Sequence, residues 1–234
     1  EKLTEPGGKL LHRFRNDESG LTANIDDYAF VIFALLELYE STFKTNYMES
    51  AIGLTEICLD HFWDNEGGGF FFTPDFGEKL IVRTKEYYDG AIPSGNSVFA
   101  NNLIRLSRMT SESRYEDYSN RLFESASLLV SKNPQAFTHL LSALDYLLGS
   151  GYEIIVAGDI NNDSTRKILS EISARFIPNK VVILKDENNP MMNPQFEYLQ
   201  SYNMIESKTA IYVCRNFECS LPATDIGEAL SLIT

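Results

Sequence analysis

Between Asn24 and Trp63 apolar residues recur twice at helical spacing, with only Lys44-Thr45-Asn46 separating the two runs. No other feature of the sequence limits the possible folds as tightly. Tyr28, Val31, Ile32, Leu35, Leu38 and Tyr39 mark a helix over about 25–42, and Tyr47, Ala51, Leu54, Cys58 and Phe62 mark a second that runs to about Trp63. Asn24 or Asp26 can cap the first helix, and Asp26 and Asp27 suit its positive N-terminal end. Two helices of similar length joined by so short a link must lie antiparallel.

The chain continues in the same manner. Asp64-Asn65-Glu66-Gly67-Gly68-Gly69 is a turn cluster, and Phe70–Thr73 has strand composition. Leu80–Arg83 can pair back on it as a short β-hairpin insert. Ser94 or Asn96 then caps a third helix whose buried stripe is Val98, Leu103, Ile104 and Leu106. A fourth helix, about 113–131, carries Tyr115, Tyr118, Leu122, Ala126 and Leu129. Asn133-Pro134 opens a fifth by cap and N1 proline, with Phe137, Leu140, Leu141, Leu144 and Leu148 on one face. At Gly149-Ser150-Gly151 the periodicity switches to buried strands at 153–157 and 181–184 around a helix at 164–176. That is a βαβ unit, for which parallel pairing is the expected arrangement. A loop over 186–200 with a short helix after Pro194, a third strand at 209–214 and a last helix capped by Thr224-Asp225 follow. The fold class is therefore mainly α, with residues 1–150 forming helical hairpins and 151–234 a small α/β subdomain.

Composition excludes several function classes. A net charge of −13 repels nucleic-acid phosphates and anionic membrane surfaces. No apolar run approaches membrane-spanning length. Three cysteines make no disulfide framework: Cys58 falls among helical core positions, and Cys214 and Cys219 match neither a CxxC pair nor a zinc pattern. Reduced cysteines packed structurally, in a reducing cytoplasm, are the expectation. His12, His61 and His139 are scattered and form no metal-ligand set. The acidic turn before Gly67 lacks the ligand spacing of a calcium loop, and the glycines lack a phosphate-loop pattern, so neither metal nor cofactor is expected.

The stretches DDYAFVIFALLELYE (26–40), FWDNEGGGFFFT (62–73), KEYYDGAIPSGNSVFANNLIRL (85–106) and YVCRNFECSLP (212–222) stand in the order found in the DUF255 proteins, the YyaL-like or spermatogenesis-associated thioredoxin-fold family, and the chain resembles their C-terminal half. Members carry an N-terminal thioredoxin-like domain followed by an α/α-toroid related to six-hairpin glycosidases and N-acylglucosamine 2-epimerases. The resemblance implies the closing part of such a toroid plus a C-terminal α/β tail. About five long helices fall short of a closed ring, and the chain starts at Glu1 without a start-like segment. A fragment is thus implied, whose natural partner is the N-terminal portion of the same protein. No redox role of a thioredoxin-like domain carries over.

On such a toroid, sugar chemistry uses loops and helix ends, and a glycosidase needs two facing carboxyl groups. Asp26, Asp27, Glu86 and Asp89 are the acids within the resembling motifs. Asp89 is the leading catalytic candidate, because Tyr87 and Tyr88 beside it could stack on a sugar; Glu86 is the second and Asp27 the third. The alternative for Asp26 and Asp27 is helix capping, and for Asp89 a turn residue bonding nearby backbone. Asn96, Arg83, Asp26 and Trp63 complete the candidate carbohydrate-binding set, with core packing the alternative for Trp63. No histidine falls in these motifs, which counts against epimerase chemistry. If the site is real, Asp89, Glu86 and Asp26 or Asp27 should share one concave surface, within about 10 Å. A non-catalytic interaction module that keeps the fold is the other reading. In a fragment, Phe30, Phe33, Ala34 and Leu36 on the first helix would face water, so either self-association through the 25–64 hairpin or an exposed apolar patch there is expected.

Overall fold

A computed structural model describes residues 2–149, 151–188 and 194–233. The Gly149-Ser150-Gly151 switch expected from the sequence includes Ser150, which lies outside the described residues, as do 189–193. The protein forms two compact units. One takes in the chain up to Ile104 together with Ser113–Asp145, and the other takes in Arg105–Glu112 and the chain from Tyr146 onward.

The first unit opens with an antiparallel hairpin, β1 (Leu11–Arg15) and β2 (Glu18–Thr22). Its turn is Asn16-Asp17, with φ of 53° and 60°. Positive φ at both central residues is the two-residue geometry that matches strand twist, and Asn and Asp tolerate it better than other side chains. Helices α1 (Ile25–Thr42) and α2 (Thr45–His61) follow and pack on each other as the expected helical hairpin. Phe43, in the left-handed region at φ 54°, donates its N–H to Tyr39 and ends α1. The buried stripe of α1 is Ile25, Tyr28, Ala29, Ile32, Leu36 and Tyr39. Leu36 is fully buried, contrary to the expected water-facing patch, whereas Phe30, Val31 and Leu38 are 37–42% exposed. Because α1 is apolar on several sides, its partners rather than its sequence decide which side is covered.

The segment between α2 and α3 (Gly95–Thr110) holds no β-hairpin. Phe70 makes an isolated antiparallel bridge to Trp63, and Phe72 N–H donates to the Thr84 carbonyl at 2.7 Å. The ordering is done by side chains instead. Asn96, fully buried in the first turn of α3, accepts from Phe70 N–H (2.8 Å) and donates to the carbonyls of Phe70 and Glu86 (both 2.9 Å). Buried backbone groups need partners, and one amide here supplies three. Ser94, not Asn96, caps α3: its Oγ accepts from Ser97 N–H at 3.2 Å. Helix α4 (Ser113–Lys132) buries Tyr115, Ser119, Leu122 and Ala126, while Leu129 is 48% exposed. A single 3-10 turn, Pro134–Ala136, precedes α5 (Thr138–Leu148), whose buried residues include Leu140, Ala143 and Tyr146; Leu148 is exposed.

In the second unit β3 (Tyr152–Gly158), α6 (Asp163–Ser173) and β4 (Lys180–Asp186) form the expected βαβ crossover, with β3 and β4 parallel. After an eight-residue 3-10 segment, Pro194–Ser201, β5 (Ala210–Arg215) pairs antiparallel on the other side of β3. The two-residue β6 (Glu218–Cys219) extends the edge, giving the order β4-β3-β5-β6, and α7 (Ile226–Ser231) closes the chain. Every residue of β3 is buried, as a central strand requires. Glu153 is the charged exception within it. Its carboxylate accepts from the guanidinium of Arg108, a buried ion pair, and from Phe217 N–H at 3.3 Å. Burial raises the Glu153 carboxyl above its ordinary value, and Arg108 opposes that rise. The expectation of reduced cysteines is overturned, because Cys214 and Cys219 are joined in a disulfide. The β5–β6 register places them directly opposite each other, as a strand end and a short loop allow. Among the described residues no helix is long and apolar enough to cross a membrane.

Candidate functional site

The first turn of α1 carries its two acids into a cleft of about 410 Å³. Polar Asp26, Asp27 and His12 meet apolar Leu3, Leu10, Leu11, Phe30, Val31 and Ile92 around it. His12 arrives on β1 and its Nδ1 bonds both carboxylate oxygens of Asp27, at 2.9 and 3.0 Å. Asp27 also accepts from Asn24 N–H at 2.8 Å, closing the N-terminus of α1 on itself. Tyr28, one residue on, anchors the hairpin by accepting from Leu10 N–H at 2.8 Å.

Asp26 differs from its neighbour. Its Oδ1 accepts from Gly95 N–H, at the start of α3, at 2.8 Å. A Cβ at position 95 would stand 2.4 Å from that oxygen and 2.9 Å from Ile25, so only glycine permits the approach. Burial pushes the Asp26 carboxyl up from its ordinary value; the Gly95 N–H opposes this, and repulsion from Asp27 and Glu86 adds to it. A carboxyl so placed holds its proton to higher pH than a solvated aspartate, the property a proton donor needs. Among the described residues no group of three or more His, Cys, Asp or Glu could hold a metal ion.

The residues singled out in the sequence divide sharply. Asp26 and Asp27 both line the cleft, and Glu86 is close enough to be felt by Asp26. Glu86 is exposed, with Oε1 accepting from Tyr88 N–H at 3.1 Å, and Tyr88 is 59% exposed. Asp89 does not line the cleft. Its carboxylate accepts from the N–H groups of Ser94 (3.1 Å), His139 (2.9 Å) and Leu140 (3.1 Å), tying the start of α5 to the turn before α3. Tyr87 is buried, its hydroxyl bonded to Ser125 Oγ at 2.6 Å. Arg83 donates to the carbonyls of Thr73 and His61 and lies over the Phe71 ring. Trp63 packs edge-on against Phe70 and Tyr118. These four, with Asn96, organise the segment that leads to the cleft rather than the cleft itself. His12 and Gly95 were not legible as site residues. His12 sits in a polar stretch whose structural signals are the turns at Pro6-Gly7-Gly8 and Asn16-Asp17.

Fold and cleft together define a mainly α protein with a small α/β unit, carrying an acid of raised proton affinity in a partly apolar cleft. Along most of its length the chain is similar to spermatogenesis-associated protein 20. The human protein is 33% identical over 232 residues, 98% of this chain and 29% of the relative. The rat protein is 34% identical over 211 residues, 89% of this chain and 27% of the relative. An uncharacterized protein of Caenorhabditis elegans is 31% identical over 205 residues, 87% of this chain and 27% of the relative. The chain thus spans between a quarter and a third of the length of these relatives. No family model matches it.

Proposed function

We propose that the chain is part of a protein of the DUF255 type, akin to spermatogenesis-associated protein 20, in which it supplies the closing part of an α/α-toroid and binds a carbohydrate-type ligand in the Asp26–Asp27–His12 cleft. The observation that carries this reading is Asp26, a carboxyl raised by burial and held by the α3 N-terminus beside a polar floor and apolar walls. Such a mixture suits a sugar, whose hydroxyls need fixed acceptors and whose ring faces pack on apolar groups. For glycoside hydrolysis Asp26 is the acid, and Glu86 or Asp27 the second carboxylate. A cytoplasmic setting goes with this reading.

The test is a titration of the 234-residue chain with a panel of mono- and disaccharides, followed by calorimetry and NMR, alongside Asp26→Asn. Asn keeps an acceptor for Gly95 N–H but loses the acidic proton. The variant is expected to weaken or abolish saccharide binding while melting higher than the parent at pH 7. The sign follows from the raised carboxyl. Its ionised form is disfavoured in the folded chain, a cost absent below the ordinary value of 3.8 and complete above the raised one. Stability due to this group therefore falls as pH rises through that window, and Asp26→Asn flattens the fall. A panel in which no saccharide binds, or unchanged affinity in Asp26→Asn, would sink the proposal.

A second reading, a non-catalytic interaction module, is favoured by the commitment of Asp89, Asn96 and Arg83 to backbone groups. Under it the exposed side chains Phe30, Val31 and Leu38 of α1 join two copies through the α1–α2 hairpin. Sedimentation equilibrium is then expected to give a dimer that Phe30→Lys/Val31→Lys dissociates. A monomer at all concentrations rules this association out.

A further inference from the structure

We propose that Cys214 and Cys219 are a dithiol–disulfide exchange site, with Cys219 the sulfur that external thiols attack and Cys214 the one that leaves and later reseals the bond. The argument begins with the hairpin. Cys214 and Cys219 face each other across β5 and β6, next to a two-residue turn at Asn216 and Phe217, where φ is 50° and 65°. Cys214 is buried at 2% exposure and Cys219 is exposed. One sulfur is therefore open to attack and its partner is shielded, the asymmetry an exchange pair requires.

A second observation concerns Tyr202. Its hydroxyl lies 3.3 Å from Cys219 Sγ. A disulfide sulfur can only accept, so the hydroxyl donates to it. When the S–S bond opens, the same hydroxyl can donate to the Cys219 thiolate, making it a better leaving group and a larger thiolate fraction at neutral pH.

A third consideration is that the sheet edge does not rest on this bond alone. It links residues only five apart, and so short a loop removes less entropy from the unfolded chain than a long one would. The edge has other fastenings. Ser220 N–H donates to the Val213 carbonyl at 3.0 Å, Ile211 and Ala223 exchange bonds at 2.8 and 2.9 Å, and Phe217 N–H reaches Glu153. Reduction can thus proceed with the sheet in place.

The step balances with an external dithiol as reductant. One of its thiolates attacks Cys219 Sγ, the Cys214–Cys219 bond breaks, and Cys214 leaves as a thiolate and takes up a proton. The second thiol of the reductant, losing its proton, then attacks the reductant sulfur of the mixed disulfide. The reductant leaves as a cyclic disulfide and Cys219 is released. Two electrons and two protons pass from the dithiol to the protein, and the reverse sequence oxidises the protein.

The experiment uses the intact chain equilibrated in mixtures of reduced and oxidised dithiothreitol, acid-quenched, alkylated and read by mass spectrometry. Opening of the Cys214–Cys219 bond, read as two added hydrogens on the peptide that spans it, with native alkylation falling on exposed Cys219, is expected under conditions where the far-UV circular dichroism is unchanged. Cys58 serves as the internal control. It is fully buried, burial holds its thiol well above the ordinary value, and it should stay unlabelled. In Cys214→Ser, Cys219 should capture a thiol-reactive disulfide probe many-fold faster than Cys214 does in Cys219→Ser. Tyr202→Phe should slow alkylation of Cys219 several-fold at pH 7 and move the pH profile of that rate upward, which a merely structural tyrosine would not do. Reduction only in denaturant, or equal trapping of the two cysteines, overturns the proposal. The redox titration of the unsubstituted chain decides the matter even if a variant fails to fold.

Discussion

Replacing Arg108 by alanine is expected to cost about 3–5 kcal/mol of stability, because it leaves a carboxylate buried in the central strand without its cation. Arg108 and Glu153 have side-chain exposures of 2% and 3%, and the guanidinium also lies 5.1 Å from the centre of the Tyr146 ring. Urea unfolding at pH 7, followed by a probe in the second unit, reads the loss directly. The deficit should shrink on acidification. The Glu153 carboxyl, already raised by burial, rises further once Arg108 is gone. A raised carboxyl costs stability only when ionised, so the penalty is complete above its folded value and vanishes below the ordinary value of 4.5. Arg108→Met/Glu153→Leu should recover most of the loss, since an apolar pair of similar volume needs no compensation. A loss below about 1 kcal/mol, or one indifferent to pH, would show that the strand tolerates a lone carboxylate there.

Asp89→Ala should cost about 3–4 kcal/mol, since three N–H groups, those of Ser94, His139 and Leu140, lose a charged acceptor together. Asp89→Asn should fall between parent and alanine, because one amide oxygen cannot serve both sets of donors. Saccharide affinity, in contrast, should hold in whatever fraction of Asp89→Asn remains folded. Loss of affinity with unchanged melting would return Asp89 to the role its flanking tyrosines suggest. The contrast with Asp26→Asn, which should melt higher and bind less, separates an organising aspartate from a working one.

Much of the fold is legible from local pattern. The 3.6-residue period fixes α1 and α2, and the change to β-branched blocks after Gly149 fixes the βαβ crossover, because both signals lie within the elements themselves. What fails is whatever depends on distant partners. Phe70, Phe71 and Phe72 read as a strand, yet Asn96, more than twenty residues on, takes the place of strand pairing at Phe70. Asp89 reads as a sugar contact because of Tyr87 and Tyr88, or as a turn residue bonding nearby backbone; Ser94 N–H, five residues on, bears out the second, while its other two partners are about fifty positions away. Leu38 is on the predicted stripe of α1 and is 42% exposed, whereas Leu36, off it, is fully buried. The candidate site was half legible. The Asp26-Asp27 pair is visible as an acidic helix start, but nothing in LHRFR announces that its histidine will meet Asp27. The nearness of Cys214 and Cys219 across a short loop is legible, but their bonded state is not, because it depends on the register in which the turn aligns the strands.

The Asn96 clamp has a consequence for where the chain can change length. From Glu86 to Asn96 the chain is a loop whose two ends are held together by the Asn96 side chain on the Glu86 carbonyl, with Asp89 fastening the middle to α5. A single inserted residue there would displace Asp89 or pull Gly95 away from Asp26. Upstream, 78–82 is exposed throughout, and Ile81 is wholly so. Doubling the length of such a surface loop adds only about 0.6 kcal/mol of closure entropy. Grafted peptides, tags or an inserted domain belong at 78–82, because the eleven residues from Glu86 to Asn96 are moored at Asn96, Asp89 and Gly95.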